Sequence, residues 1–186
     1  MPTNPPTIPS YLKGTVALLT ITSYDEWLLS IGNKTRNMLK KSVKEGISTQ
    51  IVTVDQTFFE GATKIFNETP IRQNRMFKHY GVSVEEVKNR FLFVPGVCVG
   101  AYFNGELVGF AYLVMEDSTV LLSQFLSLTS HRDKAVNNAL IGKVVEFCVS
   151  KGFSYVVYAR FGNHPSLDRF KESNGFKRYR VGGCCL

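Results

Sequence analysis

The sequence predicts a single α/β domain, a mixed sheet flanked by helices. Three observations carry this prediction. Asn104-Gly105 divides two apolar runs, and this pair suits a type I′ turn, whose two central residues both need positive φ. Downstream, strand-like and helical runs alternate: Thr119 to Leu128, Asn137 to Lys151, then Phe153 to Phe161. A helix joining two consecutive strands implies parallel neighbours in a sheet covered on both faces.

The elements follow in order. Val16 to Ile21 is apolar and reads as a short strand. Ser23 and Glu26 have capping-box spacing ahead of a helix, which Gly32-Asn33 interrupts. A second helix runs from about Asn33 to Glu45 and stops at Gly46. Met38, Leu39 and Val43 share one face of it, while Lys40, Lys41 and Lys44 share the other, with Arg36 at the edge. That basic face is either a solvated surface or a contact for an anionic partner. Ile47 to Val54 is β-branched and reads as a strand, and Gln56 to Asn67 as a helix ended by Pro70. Thr69 to Gly81 has no period and reads as a functional loop. Ser83 and Glu86 cap a further short helix.

Beyond it, Val97 to Phe103 and Leu107 to Met115 flank the Asn-Gly turn, and Thr119 to Leu128 is nearly continuously apolar, as expected for a doubly covered strand. In the helix Asn137 to Lys151 the buried face is Ala139, Leu140, Val144, Phe147 and Cys148. A short helix, Ser166 to Ser173, and a final strand, Phe176 to Val181, complete the order.

A length of 186 residues suits one domain. The expected division is an extended Pro-rich arm over 1–14, the domain over 15–181 and a flexible tail over 182–186. The start lacks the basic and apolar regions of a secretory signal, so a cytoplasmic location is expected. No apolar run approaches the ~20 residues of a membrane helix. Cys98 and Cys148 lie in apolar segments and read as core thiols. Cys184 and Cys185 adjoin one another in the tail, without metal-ligand spacing, so no metal is expected. The net charge of +7 suits an anionic ligand, a phosphorylated cofactor or RNA, or a solvated basic face.

The loop Thr129 to Ala139 connects a strand to a helix N-terminus. Free N–H groups and the helix dipole favour phosphate there, and Arg132 and Lys134 add charge. An ordinary turn capped by Asn137 is the alternative.

The order of elements, this loop and the ending Ser166-Leu-Asp-Arg-Phe-Lys-Glu-Ser-Asn-Gly-Phe176 resemble the GNAT superfamily over about Val97 to Val181. Its pyrophosphate loop reads Gln/Arg-x-x-Gly-x-Gly/Ala. Arg132 matches, Ala135 stands where the first Gly belongs, and Asn137 stands where Gly or Ala belongs. The resemblance implies a GNAT-type sheet and an N-acyltransferase using acetyl-CoA or another acyl-CoA on an amine acceptor. It implies pantetheine between the third and fourth strands of this region, near Ser127 and Leu128, and pyrophosphate along Arg132, Asp133, Lys134, Ala135, Asn137 and Asn138. A GNAT tyrosine four residues before the Gly-Phe pair usually protonates the leaving group. Here that position is Lys171, which would instead neutralise developing charge.

A narrower resemblance, to the FemAB-like branch, rests on the basic helix Ile31 to Gly46 and on Leu167-Asp-Arg-Phe-Lys171. FemAB-like enzymes take an amino acid from aminoacyl-tRNA and carry two such domains, where this chain has room for one. It implies tRNA as an alternative partner. A GNAT-fold binding module without turnover is a third reading. His131 and Tyr80 join Lys171 as expected catalytic residues, and Arg72, Arg75 and His79 in the 69–81 loop as substrate-binding residues.

Overall fold

The computed structural model describes residues 5–162 and 164–181. The elements are Gly14–Thr20 (β1), Tyr24–Ser30 (α1), Asn33–Lys44 (α2), Ser48–Val52 (β2), Gln56–Phe66 (α3), Ile71–Arg72 (β3), Arg75–Met76 (β4) and Val84–Phe93 (α4). Then come Val97–Phe103 (β5), Glu106–Glu116 (β6), Thr119–Ser127 (β7), a 3-10 turn over Thr129–Lys134, Val136–Lys151 (α5), Tyr155–Arg160 (β8), Pro165–Ser173 (α6) and Lys177–Val181 (β9). Seven strands form one sheet in the order β2-β5-β6-β7-β8-β1-β9, so the mixed α/β sheet expected from sequence is present.

The Asn104-Gly105 turn has positive φ at both residues, 50° and 82°, and joins β5 to β6 in antiparallel register. The β7-α5-β8 unit supplies the parallel pair. β1 lies antiparallel between β8 and β9, far in sequence from both. Its placement brings the first strand beside the last two.

From Phe110 to Leu113 alternation along β6 sets the two covered faces: Ala111 and Leu113 join the core under α1, α2 and α5, while Phe110 and Tyr112 join the core under α3 and α4. Val108 joins the first face because the β5-β6 register slips there, leaving it as an extra residue. Cys98 and Cys148 are fully buried thiols, as expected. Burial pushes Cys148 up to about 12, so it stays protonated and inert.

The N-terminal helices also fix α6. Trp27 Nε1 donates to the Asn174 carbonyl (3.0 Å) and Thr35 Oγ1 to the Ser173 carbonyl (2.9 Å), satisfying acceptors at the α6 C-terminus.

Several local expectations are corrected. The buried stripe of α2 runs through Thr35 and Ser42, with Leu39 packed beside it, and Val43 is 74% exposed. Packing against the neighbouring α5 selects the smaller polar residues and leaves Val43 outward. The 69–81 loop contains the β3-β4 hairpin, turned by Gln73 and Asn74 at φ 54° and 59°. Only the first half of β7 is buried, because its second half borders a cleft. Apart from these corrections, in the segment expected as an extended arm Thr7 N–H donates to Thr119 Oγ1 (2.9 Å), and Ile8 and Leu12 pack on Val16 and Tyr155. The expected tail, with Cys184 and Cys185, lies outside the described residues. Among the described residues, no helix is long and apolar enough to cross a membrane.

Gly109 on β6 lets the start of α5 approach the sheet. A Cβ there would lie 2.8 Å from Val136 Cγ1 and 3.2 Å from the Leu126 carbonyl oxygen. Gly109→Ala should therefore destabilise the fold by about 1–3 kcal/mol, read as a lower urea midpoint at unchanged slope.

Candidate active site

β7 and β8 pair over three residues only, Thr119–Leu121 with Tyr155–Val157. Both strands then continue unpaired with each other, so a gap opens between them. Each strand carries an irregularity near the opening. The β6-β7 register slips between Tyr112 and Leu113, leaving an extra residue at Ser123. The β1-β8 register slips between Val16 and Leu18, and Ala159 there has φ 47°. Bulges of this kind bend a strand and redirect its side chains.

A cleft of about 680 Å³ lies at the gap. Phe125 of β7 and Tyr158 of β8 meet across it with ring centroids 5.2 Å apart, and Phe170 of α6 lies 6.2 Å from Phe125. Tyr158 is buried, and burial pushes its phenol up, so it remains protonated. Its hydroxyl has no hydrogen-bond partner among the described residues.

The mouth of the cleft is the N-terminus of α5. Ala135, Val136, Asn137 and Asn138 line it together with Arg132. Ala135, not Asn137, is the residue before the helix, and its φ is 57°. This left-handed backbone stands where the family pattern has glycine, and an alanine there costs about 1–2 kcal/mol. The N–H groups of Val136 and Asn137 donate to nothing among the described residues. The Asn137 Oδ1 is buried without a partner. A sixteen-residue helix aims two free N–H groups and its dipole at this mouth.

Glu68 and Arg72 hold the turn that precedes it. Glu68 accepts from the N–H groups of Thr129 (2.6 Å) and Ser130 (2.9 Å). Arg72 donates to the carbonyls of Ser127 (2.9 Å) and Ile65 (2.7 Å) and pairs with Glu68 at 3.3 Å. Burial raises the Glu68 carboxyl, but the two N–H donors outweigh it and hold the pKa below the ordinary range.

The expected site residues divide into two sets. Arg132, Ala135, Asn137, Asn138 and Ser127 line the cleft, and Leu128 borders its inner end with Arg72. Lys134 turns away, to Glu45 (3.3 Å) and the face of Phe103 (4.7 Å). Asp133 is exposed and off the cleft wall. His131 stands edge-on to Phe103 at 5.4 Å, so it is not beside the gap. Tyr80 and Arg75 are exposed and line neither this cleft nor the second one described below. Arg72 is a structural clamp whose Nη1 and Nη2 are engaged by protein acceptors, while its Nε is buried without a partner.

Lys171 is neither on a solvated face nor on the cleft wall. It is 0% exposed, beneath the floor, where Nζ donates to the Arg160 carbonyl (2.6 Å) and lies 4.9 Å from the Tyr158 ring centre and 5.4 Å from that of Phe161. Burial lowers its pKa, partly opposed by Asp168. His164 caps α6, accepting from the Ser166 N–H.

A second cleft, of about 520 Å³, runs along the β7 edge and shares Phe125 with the first. His79 lies here, with Arg90 and Gln124. Tyr158, Phe125, Glu68, Arg90 and Gln124 escape sequence reasoning. An aromatic on a buried strand reads as core, and nothing in the spacing of the other three brings them together.

A family model described as the acetyltransferase (GNAT) family matches residues 59–176, more than half of the chain. The chain belongs to the GNAT family. The match spans β7, the turn, α5 and β8, the elements that build the gap. No curated protein matches at the sequence level. Among solved structures, FemX superposes with a TM-score of 0.73 at 11% identity, covering 93% of this chain and 61% of that one. L-PGS from Bacillus licheniformis gives 0.63 at 14%, covering 90% and 58%. PaiA N-acetyltransferase from Thermoplasma acidophilum, solved in complex with coenzyme A, gives 0.53 at 16%, covering 73% and 94%. This GNAT chain thus spans less than two thirds of FemX and L-PGS but nearly the length of PaiA, and these likenesses concern the fold.

The Glu68 contacts predict a pH effect. A carboxyl depressed in the folded state contributes stability above its unfolded pKa of about 4.3 and loses it as pH falls through the folded value. Glu68→Gln should therefore be less stable than the parent at neutral pH, and the difference should shrink as pH falls below about 4.3. Chemical unfolding at several pH values measures it.

Proposed function

We propose that this chain is an N-acyltransferase that moves an acetyl or other acyl group from an acyl-CoA to an amine. The single observation that supports it most is the coincidence of the β7-β8 gap with the free N–H groups of Val136 and Asn137. An acyl-CoA matches both features. Its pantetheine arm is narrow enough for a gap between strands, and its pyrophosphate suits a helix N-terminus. Arg132 adds a cation with no carboxylate within 4 Å among the described residues. PaiA N-acetyltransferase, similar in fold, was solved in complex with coenzyme A, which fits this reading.

The amine must arrive neutral. Its lone pair forms the C–N bond at the thioester carbonyl carbon, and the C–S bond breaks with its electron pair on sulfur. The amide nitrogen releases one proton to water, and the leaving thiolate takes one. Tyr158 is suited to supply that proton, since burial keeps its phenol protonated in the cleft. Water then returns one to the phenolate. Lys171 is a positioning residue in this reading. Its ammonium holds the face of the Tyr158 ring and the end of β8 through the Arg160 carbonyl.

The exposed Lys40 and Lys44 of α2, unpaired among the described residues, favour a second reading, transfer from aminoacyl-tRNA. Salt-sensitive tRNA binding without acyl-CoA binding would replace the first reading with this one.

Calorimetric titration with acetyl-CoA tests the donor. The parent should bind, and Arg132→Ala should bind roughly ten- to a hundredfold more weakly, the loss of one charge-assisted hydrogen bond. Unchanged affinity would remove Arg132 from the donor site.

Turnover tests the proton donor. Tyr158→Phe should lower kcat about a hundredfold with acetyl-CoA affinity within a few-fold, because the hydroxyl acts only on the leaving group. Lys171→Met should lower kcat too, and the double variant should be no slower than Tyr158→Phe alone, since both changes act through one ring. Additive losses would separate Lys171 from Tyr158.

A further inference from the structure

The second cleft holds three polar groups in complementary states. Arg90 of α4 lies over the Phe66 ring (5.5 Å), with no carboxylate within 4 Å among the described residues. Its Nη1 is 2.8 Å from His79 Nδ1. A guanidinium can only donate, so Nδ1 is the acceptor and the neutral imidazole carries its hydrogen on Nε2. Burial, then Arg90 and Lys78, lower the His79 pKa, which keeps the ring neutral. Gln124 on β7 has a buried Oε1 with no partner. The cleft therefore offers a cation, an N–H donor and an unpaired carbonyl acceptor, beside the stacked rings of Phe66 and Phe77 (6.2 Å).

These groups call for a ligand that carries both negative charge and an N–H donor. A buried carbonyl left unpaired is costly, and Arg90, whose acidic neighbour Glu86 acts on it only through space, has no carboxylate in contact among the described residues. A carboxylate would answer Arg90 and the His79 N–H, and an amine would answer Gln124. Phe125 belongs to both clefts, so an amine at Gln124 stands beside the end of the β7-β8 gap.

We infer that the second cleft binds the acceptor and that the acceptor is a small amine bearing a carboxylate, the chemistry of a free amino acid. This rests on the acyl-CoA reading for its reaction and not for its binding. The ammonium first loses a proton to water. The neutral nitrogen then displaces the thiolate, which takes the second proton, giving an N-acyl amino acid and free CoA. The apolar walls of Phe66 and Phe77 favour an amino acid with an apolar side chain.

The test offers acetyl-CoA with an equimolar pool of the common free amino acids and, separately, with the corresponding decarboxylated amines. Acetylated products are read by mass spectrometry. The expected result is acetylation of amino acids with at least a tenfold preference in kcat/KM over the decarboxylated amines, expressed in KM. In Arg90→Gln that preference should collapse at least tenfold, and Arg90→Lys, which keeps the charge without the fork, should restore part of it. Equal or better use of the decarboxylated amines by the parent overturns the inference, even if Arg90→Gln fails to fold. Acetyl-CoA titration tests the donor separately. If no turnover occurs, saturation-transfer NMR with the same amino-acid pool decides. Binding weakened by Arg90→Gln supports the cleft assignment, and no amino-acid binding by the parent overturns it.

Discussion

The parallel pairing of β7 with β8 stops after Leu121 and Val157, and the rest of the site depends on that stop. A strand pair that continued would close the sheet and leave no room between the layers. Each strand instead keeps its other neighbour, β6 for β7 and β1 for β8, so the separation costs only the hydrogen bonds across the gap. The irregularities at Ser123 and Ala159 sit where the strands part. Phe125 and Tyr158 fill the opening with aromatic surface, which a ligand's apolar arm could replace by contact with the same rings.

The mouth of the gap is held by charge. A strand end beside a helix start leaves backbone donors and acceptors unpaired. Glu68 takes the N–H groups of Thr129 and Ser130, and Arg72 takes the Ser127 carbonyl. One ion pair between Glu68, just after α3, and Arg72 of β3 thus fixes the turn, and the N–H groups of Val136 and Asn137 stay free for a ligand. The left-handed Ala135 is strained backbone held by this surrounding structure, which fits a site conformation maintained by its neighbours.

Beneath the floor, the buried Lys171 exchanges water for one carbonyl and two aromatic faces. Desolvation of an ammonium is expensive, and such partners offset it only in part, in keeping with its lowered pKa. Its contact with Tyr158 and the Arg160 carbonyl ties α6 to the end of β8. The N-terminal helices tie down the same C-terminal end of α6 through Trp27 and Thr35. The far-removed β1, lodged between β8 and β9, makes that connection short.

Much of the architecture was legible in the sequence, because local chemistry settles it. Asn104-Gly105 dictates a tight hairpin through backbone freedom, Ser83 and Glu86 form the capping box their spacing announces, and the apolar β7-α5-β8 order demands a parallel, covered pair. The phosphate-loop pattern also located Arg132, Ala135 and Asn137 at one cleft. Side-chain direction was not legible. Lys134 and His131 share that loop but turn to Phe103, because a 3-10 turn sends successive residues to different sides. Lys171 sits on a helix whose spacing allows a solvated or a buried face, and only the packing of β8 against α6 buries it. The meetings of Glu68 with Thr129, of Phe125 with Tyr158 and of Arg90 with His79 join separate elements. Sequence periodicity reports which face a residue shares within its own helix or strand. Tertiary structure alone decides what that face meets.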